Sequence, residues 1–149
     1  MANKVPYKPD GYQSVIPYLH VNGAARLIAF MKEVFDATEI GVYPRPDGTV
    51  GHAALRIGDS VIELADVSPE WPAMPCAMQV YVPDADAAYH RALQAGASSL
   101  LPPATQFYGD RTASVRDSSG NNWYIATQVE VVSREEVDKR LAAMSQSKK

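Results

Sequence analysis

The chain has 149 residues, a formal net charge of −3 at pH 7 and scattered basic residues, a balance that excludes an obvious nucleic-acid surface. This length predicts one compact domain or two small half-domains, and a content of 46% hydrophobic and 21% charged residues is ordinary for a globular protein. Because Cys76 is the only cysteine, an internal disulfide and a cysteine-rich zinc site are excluded. The polar start and the lack of an apolar run of about 20 residues favour a cytoplasmic protein without a membrane partner.

An extended arm at residues 1–11 precedes the first predicted strand, at residues 14–21. Apolar and polar side chains alternate there, as is typical of a strand with one face on a core. Pro17 cannot donate a hydrogen bond to a neighbouring strand, so we expect this strand at a sheet edge or beside a bulge. The face directed away from the following helix would carry Ile16, Tyr18 and His20.

A helix is predicted next, over residues 23–35, because apolar residues recur there at helical spacing. Asn22 is placed to cap its first turn. A strand near residues 38–43 and a Pro-Asp-Gly turn at residues 46–48 lead into a hairpin. The predicted order of this first half is therefore β-α-β-β-β.

The hairpin, residues 51–66, is the most informative stretch, since two apolar runs flank a two-residue turn at 58–59. This turn places Ala54 opposite Glu63 and puts His52 on the same face, because side chains alternate along a strand. The other face is apolar and is expected to cover a core: Ala53, Leu55, Ile62 and Leu64. A carboxylate between apolar neighbours must be paired, solvated, metal-bound or shifted in pKa, unless the face simply meets bulk water. Glu63 is therefore the leading candidate for a site residue.

A proline-rich linker at residues 67–75 separates this first module, residues 12–66, from a second one at residues 76–128. The predicted elements of the second module are a strand at 77–82, a helix from the Asp84 cap to the Gly96 stop, a short strand at 98–101, a loop at 102–111, and a hairpin of residues 112–116 and 122–127.

The two modules repeat at roughly 60 residues. Placing Val21 on Val82 brings Glu63 close to Tyr124, with one residue of slip elsewhere in the alignment. Repeated units commonly pack around a pseudo-twofold axis. We therefore predict an α+β fold of two βαβββ modules whose curved mixed sheets face a cleft.

Residues 129–149 are expected to form a terminal helix and tail. The segment 133–136, Ser-Arg-Glu-Glu, is a capping box that starts a helix running to about Met144. This helix is expected to dock on a sheet or on a second subunit.

Several segments, taken in order, resemble the vicinal oxygen chelate superfamily, and more narrowly its PhnB-like glyoxalase/bleomycin resistance group. The segments are GYQSVIPYLHVNGA at residues 11–24, PDGTVGHAALRIGDSVIELAD at 46–66, QFYGDR at 106–111 and VRDSSGNNW at 115–123. The resemblance implies the same two-module fold over nearly the whole chain.

Metalloenzymes of that superfamily place one metal ligand on each of four strands. The resemblance maps these positions onto Ile16, Glu63, Ala77 and Tyr124, of which only Glu63 is a carboxylate. Divalent ions normally need about three or more donors, so we expect no metal and no cofactor. Glyoxalase, fosfomycin transferase and ring-cleaving dioxygenase activities, which need the ion as a Lewis acid, are then in doubt.

The residues expected to line the cleft combine aromatic, imidazole and polar side chains, and such walls suit flat small molecules. The predicted ligand-binding residues are Ile16, Tyr18, His52, Glu63, Gln79, Tyr81, Tyr108, Arg111, Asn122 and Tyr124. Asp110 and Arg111 can instead form a structural pair that pins their loop.

Two function classes remain open. The protein can be a metal-free binder of a small aromatic or antibiotic-like molecule, as bleomycin resistance proteins are. It can instead be a lyase, isomerase or dioxygenase-type enzyme that uses Glu63 with His52 as an acid/base pair, or a displaced metal. A homodimer is expected in either case, because members of the superfamily commonly build each cleft from facing modules, within one chain or swapped between two.

Overall fold

The computed structural model describes residues 4–148 and divides into two compact units, one ending at Cys76 and the other beginning at Ala77. Each unit contains a four-stranded mixed sheet with a helix, and the second also carries the terminal helix. The first three residues of the predicted arm and the last residue of the tail lie outside the described residues. None of the helices in this part of the chain is long and apolar enough to cross a membrane.

The first unit has the predicted β-α-β-β-β order. Its elements are β1 (Tyr18–Val21), α1 (Ala24–Phe35), β2 (Thr38–Pro44), β3 (Val50–Ile57) and β4 (Ser60–Asp66). The strands lie in the order β1-β4-β3-β2, with β1 parallel to β4 and β3 antiparallel to both of its neighbours.

The predicted hairpin register is confirmed. Ala54 lies opposite Glu63 and Leu55 opposite Ile62, around a turn in which Gly58 has a φ of +56°. α1 packs on β3 and β4, and the side chains between them are almost completely buried. The core of this unit includes Leu19, Leu27, Met31, Val34, Ala53, Leu55 and Leu64.

The first strand is shorter than predicted. β1 begins at Tyr18 rather than at residue 14, and Val15, within the predicted strand, is 85% exposed. Ile16 therefore lies before the strand, not within it. Pro17 explains the shortening because it has no N–H to donate, although its carbonyl accepts a hydrogen bond of 3.0 Å from the Glu63 N–H. The expected position at a sheet edge is confirmed.

The cap of α1 also differs from the prediction. Gly23, not Asn22, precedes the helix, and its φ of +82° is a conformation that glycine adopts without strain. The N–H groups of Gly23 and Ala24 donate to Oδ1 of Asp66, at 3.1 and 2.9 Å, while Oδ2 accepts from the Val50 N–H at 2.8 Å. A side chain about 40 residues away along the chain thus supplies the acceptor that the local sequence led us to expect from Asn22.

The second unit repeats the order of the first and adds a helix. Its elements are β5 (Ala77–Tyr81), α2 (Ala85–Gln94), β6 (Ser98–Thr105), β7 (Asp110–Arg116), β8 (Asn122–Gln128) and α3 (Arg134–Gln146). The strand order is β5-β8-β7-β6, with β5 parallel to β8. Both predicted helix signals are confirmed, since Asp84 accepts a hydrogen bond from the Ala87 N–H and Gly96, with a φ of +98°, follows the helix.

The loop predicted at residues 102–111 is largely strand. β6 continues through Pro102 and Pro103 to Thr105, and β7 already begins at Asp110. β6 is an edge strand, and its register on β7 shifts between Leu101 and Ala104, so the two prolines fall where ladder donors are not required.

The sheet registers confirm the internal repeat. In the first unit Tyr18 lies beside Glu63, and in the second Gln79 lies beside Tyr124; each residue of the second pair comes 61 positions after its counterpart. Ser114, which lies opposite Tyr124, comes 60 positions after Ala54. The one-residue slip therefore falls in the turn that joins the last two strands of each unit.

The terminal helix begins as predicted, with the Ser133 hydroxyl accepting a hydrogen bond of 3.1 Å from the Glu136 N–H. None of its described residues is buried. Arg140 connects it to the rest of its unit by donating to both carboxylate oxygens of Glu130, at 2.8 and 3.1 Å, and to the Phe107 carbonyl at 2.9 Å.

Candidate functional site

The face of the first sheet directed away from α1 carries a cluster of aromatic and titratable side chains. Alternation along β1, β3 and β4 places Tyr18, His52 and Glu63 on this face, opposite the buried Leu19, Leu55 and Leu64. Tyr43 of β2 lies directly beside His52, with 6.1 Å between the ring centroids. We call this set, together with His20, the polar face.

His52 lies between a phenol and a carboxylate. Its Nδ1 is 3.1 Å from the Tyr18 hydroxyl, and its Nε2 is 4.0 Å from Oε1 of Glu63. When the phenol donates to Nδ1, the ring proton is on Nε2 and points to the acid. The side chains of His52 and Glu63 are 38% and 22% exposed, so both can be reached from solvent.

The pKa of Tyr18 is raised above its ordinary value. Partial burial is the main cause, and the negative charge of Glu63 adds to it, while the positive charge of Arg45 acts in the opposite direction. The phenol of Tyr18 is therefore neutral at neutral pH.

A cavity of about 400 Å³ opens beside the polar face within the first unit. It is lined by Tyr18, His20, Arg45, Gly51, Ala65, Asp66 and Trp71. The indole of Trp71 stacks on the imidazole of His20, with 5.4 Å between the centroids and 11° between the planes. The Tyr18 ring lies 5.1 Å from His20, so three rings form one wall.

Two polar features of this wall stand out. The buried Nδ1 of His20 has no hydrogen-bond partner within the part of the chain that the structure describes. The guanidinium of Arg45 is held by neutral oxygens, donating to the carbonyls of Asp66 at 2.9 Å and Val67 at 3.2 Å and to the Thr49 hydroxyl at 3.3 Å. The cavity thus combines an aromatic wall with a fixed cation.

In the second unit, the expected pairing of Asp110 with Arg111 is wrong. Asp110, which is 5% exposed, accepts a hydrogen bond of 2.7 Å from the Tyr81 hydroxyl. Arg111 instead holds Asp86 of α2 through Nε and Nη2, at 3.1 and 3.0 Å. Neighbouring positions on β7 point to opposite faces, so the two side chains cannot meet.

These contacts change two pKa values in the second unit. The hydrogen bond to Asp110 is the main cause that raises the pKa of Tyr81, and the hydrogen bond from Arg111 lowers the pKa of Asp86. Arg111 thus supports the packing of α2 beside β7.

The remaining predicted residues of the second unit are mostly exposed. Gln79 and Tyr124 are neighbours across β5 and β8, and Tyr124 is 43% exposed. The Asn122 side-chain oxygen accepts a hydrogen bond of 2.9 Å from Arg116. Tyr108 is 44% exposed and meets Phe107 edge to face, with 5.2 Å between the centroids.

The four positions that the resemblance maps as metal ligands do not supply a donor set. Ile16 and Ala77 have no donor atom in their side chains, and the phenol of Tyr124 is a poor ligand unless ionised, so Glu63 would stand alone. Across residues 4–148 no three His, Cys, Asp or Glu side chains converge as a metal site would require. The residues present do not fit the ion.

Sequence reasoning missed the charged and indole side chains of the cavity, which are Arg45, Asp66 and Trp71. A tryptophan in a proline-rich linker is unusual in a solvated segment and could have been singled out. Arg45 and Asp66 carry no such local signal, because their contacts join the turn after β2 to the end of β4.

Comparison with known proteins identifies the family. The family model of the Glyoxalase/Bleomycin resistance protein/Dioxygenase superfamily matches residues 15–125. The chain belongs to this superfamily. The resemblance carried by the four sequence segments is thereby confirmed at the level of the superfamily.

Among relatives of this superfamily protein, the uncharacterized protein Mb0911c of Mycobacterium bovis is 36% identical over 140 residues, which cover 87% of this chain and 90% of the relative. Among solved structures, TioX from Micromonospora sp. ML1 has a TM-score of 0.66 at 24% identity, with 78% of this chain and 99% of that chain covered. A glyoxalase/bleomycin resistance protein/dioxygenase family enzyme from Burkholderia phytofirmans PsJN has a TM-score of 0.63 at 18% identity, with 76% and 97% covered. At these identities the two structures show the shared fold.

Proposed function

We propose that this protein binds a small planar molecule in the cavity of its first unit. The observation that carries the proposal is the ring wall of Tyr18, His20 and Trp71 on a cavity of about 400 Å³. Ligand pockets commonly have volumes of about 300–1,000 Å³ and combine apolar or aromatic walls with a few fixed polar groups. A flat ligand can stack on Trp71 as the His20 ring does, and the polar groups at the other side orient it.

Trp71 provides a direct readout of such binding. The chain has two tryptophans; Trp71 is 60% exposed at the cavity, and Trp123 is 1% exposed in the core of the second unit. A panel of planar aromatic compounds, including aromatic antibiotics, should quench the Trp71 emission in a saturable manner. The Trp71→Phe variant is the control, because the signal of Trp123 should then not respond to the ligand. The absence of saturable quenching across the panel would argue against binding at this cavity.

We further propose that the protein works without a resident divalent metal. The support is the chemistry of the mapped positions, where Glu63 is the only strong donor. Elemental analysis of the purified protein, before and after dialysis against zinc, manganese and iron salts, tests this. Metal that is bound in stoichiometric amount after the dialysis, and that is absent from the Glu63→Gln variant, would overturn the proposal and place a metal-dependent reaction first.

A second candidate is proton-transfer catalysis on the polar face. The observation that favours it is that His52 lies next to both Tyr18 and Glu63. One ring nitrogen can then take up a proton while the contact at the other nitrogen keeps the ring in position. Glu63 and His52 would be the acid/base pair of a lyase or isomerase. Turnover of any bound compound that is lost in Glu63→Gln, while its affinity is retained, would favour the enzyme over the binder.

The remaining expectations about this protein are proposals as well. A homodimer, a PhnB-like grouping and a role in antibiotic resistance are supported by the resemblance to this superfamily and not by contacts in the structure, and a cytoplasmic location is supported by the polar composition of the chain. The ligand-binding role of the second unit is likewise proposed, for Gln79, Tyr81, Tyr108, Arg111, Asn122 and Tyr124. Light scattering at micromolar concentration tests the dimer, and a mass of one chain would contradict it.

A further inference from the structure

The cation in the cavity has hydrogen-bonding capacity that the protein does not use. A guanidinium carries five N–H donors. Nη1 of Arg45 donates to Thr49 and Val67, and Nη2 donates to Asp66, so Nε and the second hydrogen of Nη2 have no acceptor within the described residues. Arg111 uses the same two nitrogens, Nε and Nη2, to hold the carboxylate of Asp86 elsewhere in the chain.

The charge of Arg45 is also not matched by a direct acidic partner. An ion pair requires a nitrogen-to-oxygen distance of at most 4.0 Å, and within residues 4–148 no carboxylate oxygen is that close to a side-chain nitrogen of Arg45. Arg111 and Arg140 each have such a partner. Its side chain is nevertheless fixed in place. Three hydrogen bonds hold the guanidinium, and the Cβ of an alanine at Gly51 would lie only 3.1 Å from Cγ of Arg45.

The acidic groups near Arg45 are engaged with other partners. Asp66 accepts three backbone N–H groups at the start of α1 and of β3, and the positive end of α1 offsets its charge. Asp47, on the same turn as Arg45, accepts from both the N–H and the hydroxyl of Thr49. Glu63 is 4.0 Å from Nε2 of His52. An incoming anion therefore meets a cation with unused donors, while the carboxylate oxygens of Asp66 and Asp47 already accept hydrogen bonds from other groups.

We infer that the cavity takes aromatic carboxylates, with the carboxylate on the open side of the Arg45 guanidinium and the ring against Trp71 and His20. This inference rests on the proposed function and adds the charge of the ligand to it. A planar fork and a planar acid form two parallel charge-assisted hydrogen bonds, which a neutral amide of the same shape cannot form.

The test uses a pair of isosteric probes, 1-naphthoate and 1-naphthamide, titrated into the full-length protein by calorimetry at low salt. We expect the naphthoate to bind at least about tenfold more tightly, and raising the salt concentration to weaken the naphthoate alone. Arg45→Gln should abolish the preference and leave the naphthamide affinity within about twofold. Arg56→Gln is the matched control, because Arg56 also donates to a backbone carbonyl, that of Gly11, and does not line the cavity.

The outcomes separate the inference from the function on which it rests. Equal affinity of the two probes for the wild-type protein overturns the carboxylate preference and leaves aromatic binding intact. Binding of neither probe overturns aromatic binding at this cavity as well. Because Arg45→Gln also removes hydrogen bonds to the chain, the thermal midpoint of this variant is measured first. The comparison of the two probes on the wild-type protein, and the salt dependence of their binding, test the inference without any variant.

Discussion

The hydroxyl of Tyr18 lies 3.1 Å from Nδ1 of His52, although 34 residues separate them in the sequence. Tyr18 is on the edge strand β1 and His52 is on β3, with β4 and its Glu63 between them. The phenol and the carboxylate therefore approach the same imidazole from two neighbouring strands. In this arrangement the charge of Glu63 acts on the phenol of Tyr18, and the effect can be measured.

The pKa of Tyr18 should respond in opposite directions to two substitutions. A nearby negative charge disfavours the phenolate, so Glu63→Gln should lower the pKa of Tyr18, while Arg45→Gln should raise it. Carbon NMR titration of ring-labelled tyrosine measures both shifts, with Tyr18→Phe to assign the resonance. Glu70→Gln, a charge change in the exposed linker, should leave the pKa unchanged. Shifts of the same sign in both cavity variants would contradict this electrostatic account.

Asp66 should be more important to stability than an ordinary helix cap. Its two oxygens accept from Gly23, Ala24 and Val50, so Asp66→Ala leaves three backbone donors without that acceptor, and we expect a loss of about 2–3 kcal/mol in the free energy of unfolding. Asp84→Ala is the comparison, since Asp84 accepts one N–H and should cost about 1 kcal/mol. Urea denaturation followed by circular dichroism measures both; a smaller effect at Asp66 than at Asp84 would be incompatible with this role.

Gly109 should not tolerate a side chain. Its φ is +103°, and a Cβ there would lie 2.2 Å from the carbonyl oxygen of Glu130. We expect Gly109→Ala to lower the free energy of unfolding by more than about 2 kcal/mol, because backbone strain and a collision with backbone add together. Gly48→Ala is the matched control, since its φ is +87° but a Cβ would meet nothing within 4 Å, and strain alone should cost about 1 kcal/mol. Equal losses in thermal unfolding of the two variants would rule out the collision.

The ion pair that holds α3 should depend on pH. The hydrogen bond from Arg140 lowers the pKa of Glu130 in the folded protein, so the pair stabilises the fold above the ordinary glutamate pKa of about 4.3 and loses this effect as the pH falls through the lowered value. The difference in thermal midpoint between the wild type and Glu130→Gln should therefore be constant near neutral pH and vanish in acid. Glu33→Gln, at an exposed position on α1, is the control. A difference that is as large in acid, with Glu130 protonated, as it is at neutral pH would contradict the ionic origin of the stabilisation.

Local patterns were sufficient for most of the fold. The turn at Gly58 and the alternation of the flanking strands predicted the register that places Ala54 opposite Glu63. The apolar spacing predicted α1, and Asp84 and Gly96 predicted the bounds of α2. Errors occurred where a proline interrupts a strand, because the pattern does not say whether the neighbouring strand still pairs there: β1 is shorter than expected and β6 is longer.

The candidate site was predictable only in part. Alternation on one hairpin is a local property, and it was enough to place His52 and Glu63 together on one face. The sequence by itself thus determined the two repeated modules, the faces of their strands and the scarcity of metal donors at the mapped positions. Tertiary structure alone decided that Tyr18 reaches His52, that Trp71 covers His20, that Asp66 caps α1 and that Arg45 enters the cavity. Those contacts join segments far apart in the chain. Their geometry depends on how β1 and the linker pack against the sheet, and the periodicity of the sequence does not encode this packing.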